Sequence, residues 1–228
     1  MTDPSGAILQ RDGKTYAVTS RIPAGIVTPE QLETIATVGR KYRVPVLKIT
    51  SGQRFLFAGL EPEDVPRVIA DLGPLAKPEA EPCVKFVQAC LGTDMCKYGK
   101  QDSIRLARML DEAFRNQTFP AKIKIGVSGC PRCCSESHTR DIGMVATPNG
   151  WTVFFGGNAG TRPRFGDPVA RDLTAGEVVD CAQRLAQYYG SHAKPHERTA
   201  RFMERIGMDS LRSDLLLLLP YIPLEKVQ

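Results

Sequence analysis

The sequence predicts a mixed α+β protein made of two successive units. Three observations carry this expectation. Hydrophobic patterns in the first 75 residues run in the order β-α-β-β-α. A Pro-rich stretch, "GPLAKPEAEP", breaks the pattern and reads as a linker. Beyond it, strands alternate with amphipathic helices, and the chain closes on two further helices. The expected units are residues 1–75 and 76–228.

In the first unit, "TYAVTSRIPAGIVT" opens as a strand and ends in a Pro-Gly turn. "TPEQLETIATVGRKY" reads as a helix. Thr28 is the N-cap, Pro29 takes the first helical position and Gln31 completes a capping box, with Leu32, Ile35 and Val38 at helical spacing. "VPVLKIT" and "RFLFAGL" are strands around a turn at Ser51-Gly52, and "EPEDVPRVIADLG" is a second helix ended by Gly73. In the second unit, "VKFVQA" is a short strand leading to Cys90, "SIRLARMLDEAFRN" an amphipathic helix and "AKIKIGVSG" a strand. "DIGMVATPNGWTVFFGG" turns as a hairpin at Pro-Asn-Gly, and "TAGEVVDCAQRLAQYYG" is a helix capped by Thr174. "ERTARFMERIG" and "LRSDLLLLL" are the two terminal helices. No tandem repeat or low-complexity segment is expected.

The chain has 228 residues, of which 42% are apolar, enough for a real core, and 24% are charged, the usual share for a soluble globular protein. No apolar stretch reaches the roughly 18 residues of a membrane span; "LLLLLPYIP" is too short and reads as a buried C-terminal helix. The opening "MTDPSGAILQRDGK" has no basic start followed by an apolar run, so no signal peptide is expected and the expected location is cytoplasmic. A net charge of +5 does not separate an enzyme for anionic ligands from a nucleic-acid binder.

Seven cysteines, an odd number with no secretory signal, argue against a disulfide scaffold. Cys83 and Cys181 stand alone and read as core residues. Cys90 and Cys96 frame "CLGTDMC", and Cys130 and Cys134 frame "CPRCC". Four thiolates in two pairs suit zinc or an iron–sulfur cluster. The first gap is wide for a zinc knuckle, whereas Cys133 offers Cys130 a tighter partner, so zinc stays open. Each pair follows a strand and precedes a helix, so the thiolates can converge on one sheet edge, which favours the cluster.

Lys122 and Lys124 are two apart on a strand and share a face, while Ile123 and Ile125 point to the core. Two lysines alone make a solvated basic face; this strand, however, runs on into Cys130. Arg21 stands at a strand end before a glycine turn, and Lys85 precedes Cys90 by a few residues. Fixed cations near a redox centre would bind a small oxyanion and help protonate it as it is reduced. His138, His192 and His196 read as surface or local hydrogen-bonding residues.

On these residues the chain resembles the siroheme- and iron–sulfur-containing sulfite and nitrite reductase family, as a small, single-copy, assimilatory-type member. The spacing C-x5-C followed by C-x3-C is that family's cluster signature. "SRIPAGIVTPEQLETIA…LKITSGQRFLFAGL", with its R-x-P-x-G turn and T-x-x-Q strand, is similar to the family's half-domain, and "KIK" to its alternating lysines. The resemblance spans roughly Thr15 to Gly207. It implies a ferredoxin-like half-domain followed by an α/β siroheme and iron–sulfur cluster domain with C-terminal helices. It implies that Cys90, Cys96, Cys130 and Cys134 ligate a [4Fe-4S] cluster, and that the Cys134 thiolate bridges to the siroheme iron. Arg21, Lys122 and Lys124, with Lys85 where many members have arginine, would surround sulfite or nitrite. Gln53, Arg54, Arg132, Asn158, Arg162 and Arg164 are the candidates for siroheme. Gly52 stands where many members carry arginine, and Arg54 two residues on is the substitute. The implied activity is reduction of sulfite to sulfide, or of nitrite to ammonia; the alternatives are a non-catalytic siroheme and iron–sulfur carrier or redox sensor, and a zinc-stapled interaction module. No G-x-G-x-x-G follows a strand, so electrons are expected from a separate donor protein such as a ferredoxin. No nucleic acid or membrane partner is expected. The resemblance implies that larger members hold two copies of this unit, so a homodimer is the expected assembly, the alternative being a monomer whose single copy does everything.

Overall fold

In a computed structural model of the chain, residues 6–76 and 82–218 are described, with side chains to residue 214. The chain forms two compact units, Met1–Glu81 and Pro82–Gln228.

The first unit comprises β1 (Ile8–Leu9), β2 (Tyr16–Thr19), α1 (Pro29–Lys41), β3 (Val46–Ile49), β4 (Phe55–Leu60) and α2 (Val65–Leu72). Its sheet has the order β1-β2-β4-β3 and is antiparallel throughout. The expected order is present with one addition, the two-residue β1, which is too short to leave a pattern. Thr28 and Gln31 close both bonds of the capping box on α1. Gly73 ends α2 at φ +51°, a conformation that suits glycine. Val18, Ile35, Val38, Phe57 and Val68 form the core between sheet and helices. β3 lies at the sheet edge, with Val46 52% and Ile49 68% exposed and Lys48 between them. Of the predicted linker, residues 77–81 lie outside the described residues.

The second unit comprises β5 (Val84–Ala89), α3 (Gly92–Met95), α4 (Ser103–Ala113), β6 (Ile123–Ser128), β7 (Ile142–Thr147), β8 (Gly150–Phe155), β9 (Asp167–Leu173), α5 (Ala175–His192) and α6 (Thr199–Leu218). The sheet order is β5-β6-β7-β8-β9. The first three strands are parallel and the last two return antiparallel, β7 and β8 through Pro148-Asn149. β9 has no counterpart in the sequence expectation. It carries Pro168 and alternates charge with Val169 and Ala170, and it pairs with β8 through two register shifts, as a proline-bearing edge strand can. α6 is interrupted at Gly207 (φ +77°, ψ 163°), so the two expected terminal helices meet there. The side chains of the terminal leucine run lie outside the described residues.

The two faces of β6 differ. Ile123, Ile125 and Val127 are fully buried, and α4 packs on β5 and β6 with Leu106 and Leu110 also fully buried. The other face presents Lys124, Gly126 and Ser128. There the segment 135–140 crosses the sheet closely enough that a Cβ on Gly126 would meet Ser135 O at 2.8 Å, and one on Gly143 would overlap Ser137 O at 1.9 Å.

Candidate functional site

Parallel strands β5 and β6 end together, so Cys90 and Cys130 emerge at the same sheet edge. Glycines then let the two cysteine loops touch. A Cβ on Gly129 would lie 2.7 Å from Gly92 Cα, and one on Gly99 would lie 2.5 Å from Gly92 C. Gly92 itself has φ +60°. Lys100 N donates to Gly129 O at 2.7 Å, and Gly129 N donates to Cys90 Sγ at 3.1 Å. The Arg132 guanidinium lies 3.8 Å from the Tyr98 ring centroid, a stacking contact between the same loops. The sequence pairs are therefore brought to one place.

Cys90 and Cys96 are half-buried, Cys130 is buried and Cys134 is exposed. Cys133 sits at φ +56° with its sulfur accepting from the Ser128 hydroxyl at 3.8 Å, against the sheet. Among the described residues no three His, Cys, Asp or Glu side chains are close enough to hold one metal ion. The donors gathered at this edge are thiols, a set that suits an iron–sulfur cluster. Cys181 is fully buried on α5, its thiol pushed up to about 12 by burial, as a core cysteine. Cys83 is half-buried in a bridge to Thr118 rather than in the core.

The lysines occupy the opposite edge. Lys124 opens β6 beside Phe86 of β5, with Nζ 5.9 Å from the ring centroid. Burial, and then the charges of Arg198, Lys122 and Arg140, hold its ammonium below the usual lysine range, with Asp141 acting against them. Lys85 lies at a register shift at the start of β5. Three charged residues here were missed by the sequence reading. Arg140, buried, bonds Gln88 Oε1 at 2.6 Å and Glu136 Oε2 at 3.0 Å. Asp141 and Arg198 form an ion pair of 2.7 Å. A usable signal was "RDIGMV": a charged pair opening a wholly apolar strand must be partnered when buried. At about 3.3 Å per strand residue, Lys124 and Cys130 lie roughly 15–20 Å apart along the chain. The structure thus separates the lysines from their own chain's thiols.

The segment 158–164 shares the lysine edge, since Gly156 N donates to Asp141 O at 2.9 Å. Asn158 and Arg164 exchange backbone hydrogen bonds, and Asn158 Nδ2 donates to Arg162 O. Arg164 is held by Gly156 O, Phe165 O and Asp167 at 3.0, 3.0 and 2.5 Å, while the Arg162 side chain is 73% exposed. His138 packs edge-on to Phe154 at 4.5 Å, a local contact. In the first unit, Ser20 and Phe55 bond reciprocally, Ser20 N to Phe55 O at 2.8 Å and Phe55 N to Ser20 Oγ at 2.9 Å. This brings Arg21 and Arg54 to one end of that unit's sheet. Gln53, at φ +57°, lies where a Cβ on Gly25 would meet its Oε1 at 2.7 Å, so the two predicted turns meet. Arg54 is buried.

Fold and site together define a two-unit α+β protein with a thiol-rich edge and a basic edge on one mixed sheet. The family profile for the nitrite and sulphite reductase 4Fe-4S domain matches residues 80–220, and that for the nitrite/sulfite reductase ferredoxin-like half domain matches residues 8–75. An assimilatory-type sulfite reductase of Nitratidesulfovibrio vulgaris is 42% identical over 214 residues, covering 94% of this chain and 98% of that protein. A nitrite reductase [NAD(P)H] of Bacillus subtilis is 38% identical over 209 residues, covering 92% of this chain and 26% of that protein. The solved structure of the Mycobacterium tuberculosis NirA protein superposes with a TM-score of 0.80 at 17% identity, covering 100% of this chain and 45% of that one, a likeness of fold. The chain belongs to the nitrite and sulphite reductase family.

Proposed function

We propose that this protein reduces sulfite to sulfide, with nitrite to ammonia as a variant of the same chemistry, using siroheme and a [4Fe-4S] cluster. The observation that carries the reading is the glycine-packed junction that sets the Cys90–Cys96 and Cys130–Cys134 loops side by side, with an N–H on a ligand sulfur. Similarity to a sulfite reductase over nearly its whole length puts sulfite first. Cys90, Cys96, Cys130 and Cys134 would hold the cluster. Cys133, turned to Ser128, is the thiol left over. Siroheme would supply the iron chemistry that reduces the oxyanion, and Cys134 would be the cluster thiolate shared with it.

The chain's own work is charge and protons. Lys122, Lys124, Lys85 and Arg21 are the residues we assign to the oxyanion. A lysine whose proton is loosened by burial donates more readily as each S–O bond breaks and its oxygen leaves as water. Arg132, Gln53, Arg54, Asn158, Arg162 and Arg164 are assigned to the siroheme carboxylates. Because lysines and thiols lie at opposite ends of β6, we place the working site in a homodimer, one subunit giving cations and the 158–164 segment, its partner the cluster. Electrons come from a separate donor protein such as a ferredoxin, and the chain works in the cytoplasm. A visible absorption spectrum with iron and labile-sulfide analysis, followed by sulfite turnover with a reduced viologen, tests the reading. Strong visible bands with sulfide release are expected. Colourless protein with tightly bound zinc rejects it, and cofactors without turnover turn it to a carrier.

A further inference from the structure

The basic edge of β6 is organised around one buried carboxylate. Asp141 is 1% exposed and stands where the β6–β7 ladder begins. Its Oδ2 accepts the Lys124 backbone N–H at 2.8 Å, taking the place of a ladder partner. Arg198 Nη2 donates to both oxygens, at 2.7 and 2.9 Å, and its Nε to Oδ1 at 3.3 Å. The Thr199 hydroxyl donates to Oδ1 at 2.5 Å. One side chain therefore ties the first residue of α6 to the strand that carries Lys124. Arg198 remains 24% exposed, and its Nη1 makes no hydrogen bond among the described residues.

We propose that Arg198 is an additional anion-binding residue of the basic edge, and that Asp141 is the positioning residue that aims it and fixes Lys124. This rests on the reading that the lysine face meets the oxyanion. The charged groups acting on Lys124 are Lys122 just ahead of its strand, Arg140 and Asp141 ahead of β7, and Arg198 at the head of α6; the Tyr189 phenol of α5, close to Asp141 and Arg198, donates to Glu197 O. After burial, Arg198 is the strongest charge acting to lower the Lys124 pKa. A planar guanidinium held through two of its nitrogens still presents the third to a ligand, a geometry that suits an oxyanion better than a point charge. An anion arriving there would balance Lys122, Lys124, Arg140 and Arg198 against the single buried carboxylate.

The test uses the cofactor-loaded protein with Arg198→Gln, Arg198→Lys and Asp141→Asn, and Lys124→Ala as control. Arg198→Gln is expected to raise the sulfite KM by about ten- to a hundredfold with an unchanged visible spectrum, the loss of one charge-assisted contact. Removing that cation also raises the Lys124 pKa. The basic limb of the pH–rate profile should move to higher pH, and acylation of Lys124, followed by peptide mass spectrometry across pH, should move the same way. Arg198→Lys restores the charge, so the titration returns toward the original while KM stays raised. Asp141→Asn releases Arg198 and is expected to raise KM as Arg198→Gln does. Wild-type KM and unmoved acylation in Arg198→Gln, with Lys124→Ala impaired, overturn the role of Arg198 and leave the lysine face standing. Full turnover in both removes the face and this inference with it.

Discussion

At the scale of the residue, the backbone turns two adjacent thiols in different directions. Cys133 is held at φ +56° and its sulfur turns to Ser128, while Cys134 next to it is exposed. Spacing alone left both pairings with Cys130 open; a left-handed residue inside the loop has no signature in "CPRCC". Cys90→Ser, Cys96→Ser and Cys130→Ser are each expected to lose most iron and labile sulfide, and Cys134→Ser to lose in addition the coupling between cluster and siroheme. Cys133→Ser is expected to keep both cofactors. Iron loss confined to Cys133→Ser, measured on purified protein, reverses the assignment. Asp141 is a second case: its carboxylate accepts from four donor atoms, yet neighbours in the chain say nothing of Arg198, which meets it only in the fold.

At the scale of the element, what is local was legible and what is long-range was not. The capping box at Thr28–Gln31 and the N-cap at Thr174 are set by neighbours three residues apart and formed as read, and Glu177 completes a second box at Thr174 that was not read. β9 escaped because its Pro168 and charges are those of an edge strand, whose pairing is decided by β8. The alternation on β6 was legible, but the role of Gly126 was not, because its reason lies in the segment crossing above it. The loop junction gives the prediction at this scale. Gly129→Ala would push a methyl carbon to 2.7 Å from Gly92 Cα, a backbone atom that cannot swing away. Overpacking of this kind costs about 1–3 kcal/mol. We expect a lower melting temperature and a cluster content reduced well below that of Gly176→Ala, where nothing lies within 4 Å. Equal cluster content in the two variants, by iron analysis, shows the junction is dispensable.

At the scale of the whole molecule, the chain matches 45% of the NirA chain, whose fold it shares. One chain offers its basic edge and its thiol edge at opposite ends of the same strand, and a symmetric pair can present one to the other. Mixing tests this. A chain carrying Lys122→Ala and Lys124→Ala and a chain carrying Cys90→Ser should each be inactive alone. After subunit exchange at equal amounts, about a quarter of native activity should return if sites are built across the interface, since half the pairs are mixed and a mixed pair holds one intact site of two. Sedimentation shows whether dimers form, and labelled subunits show whether they exchange. Proven exchange without recovered turnover rejects the shared site, and a fully active monomer rejects the dimer.

The Gly92–Gly129 contact also sets a timetable. The two cysteine loops meet through backbone packing and the Lys100–Gly129 hydrogen bond. Cys90 and Cys130 are far apart in sequence and meet only where β6 pairs with β5, so the proposed four-thiol site depends on that pairing. On the proposed reading, the cluster would enter only a chain in which that pairing has formed. The junction opens to solvent at a rim where Met95 is 80% exposed and Cys134 is exposed.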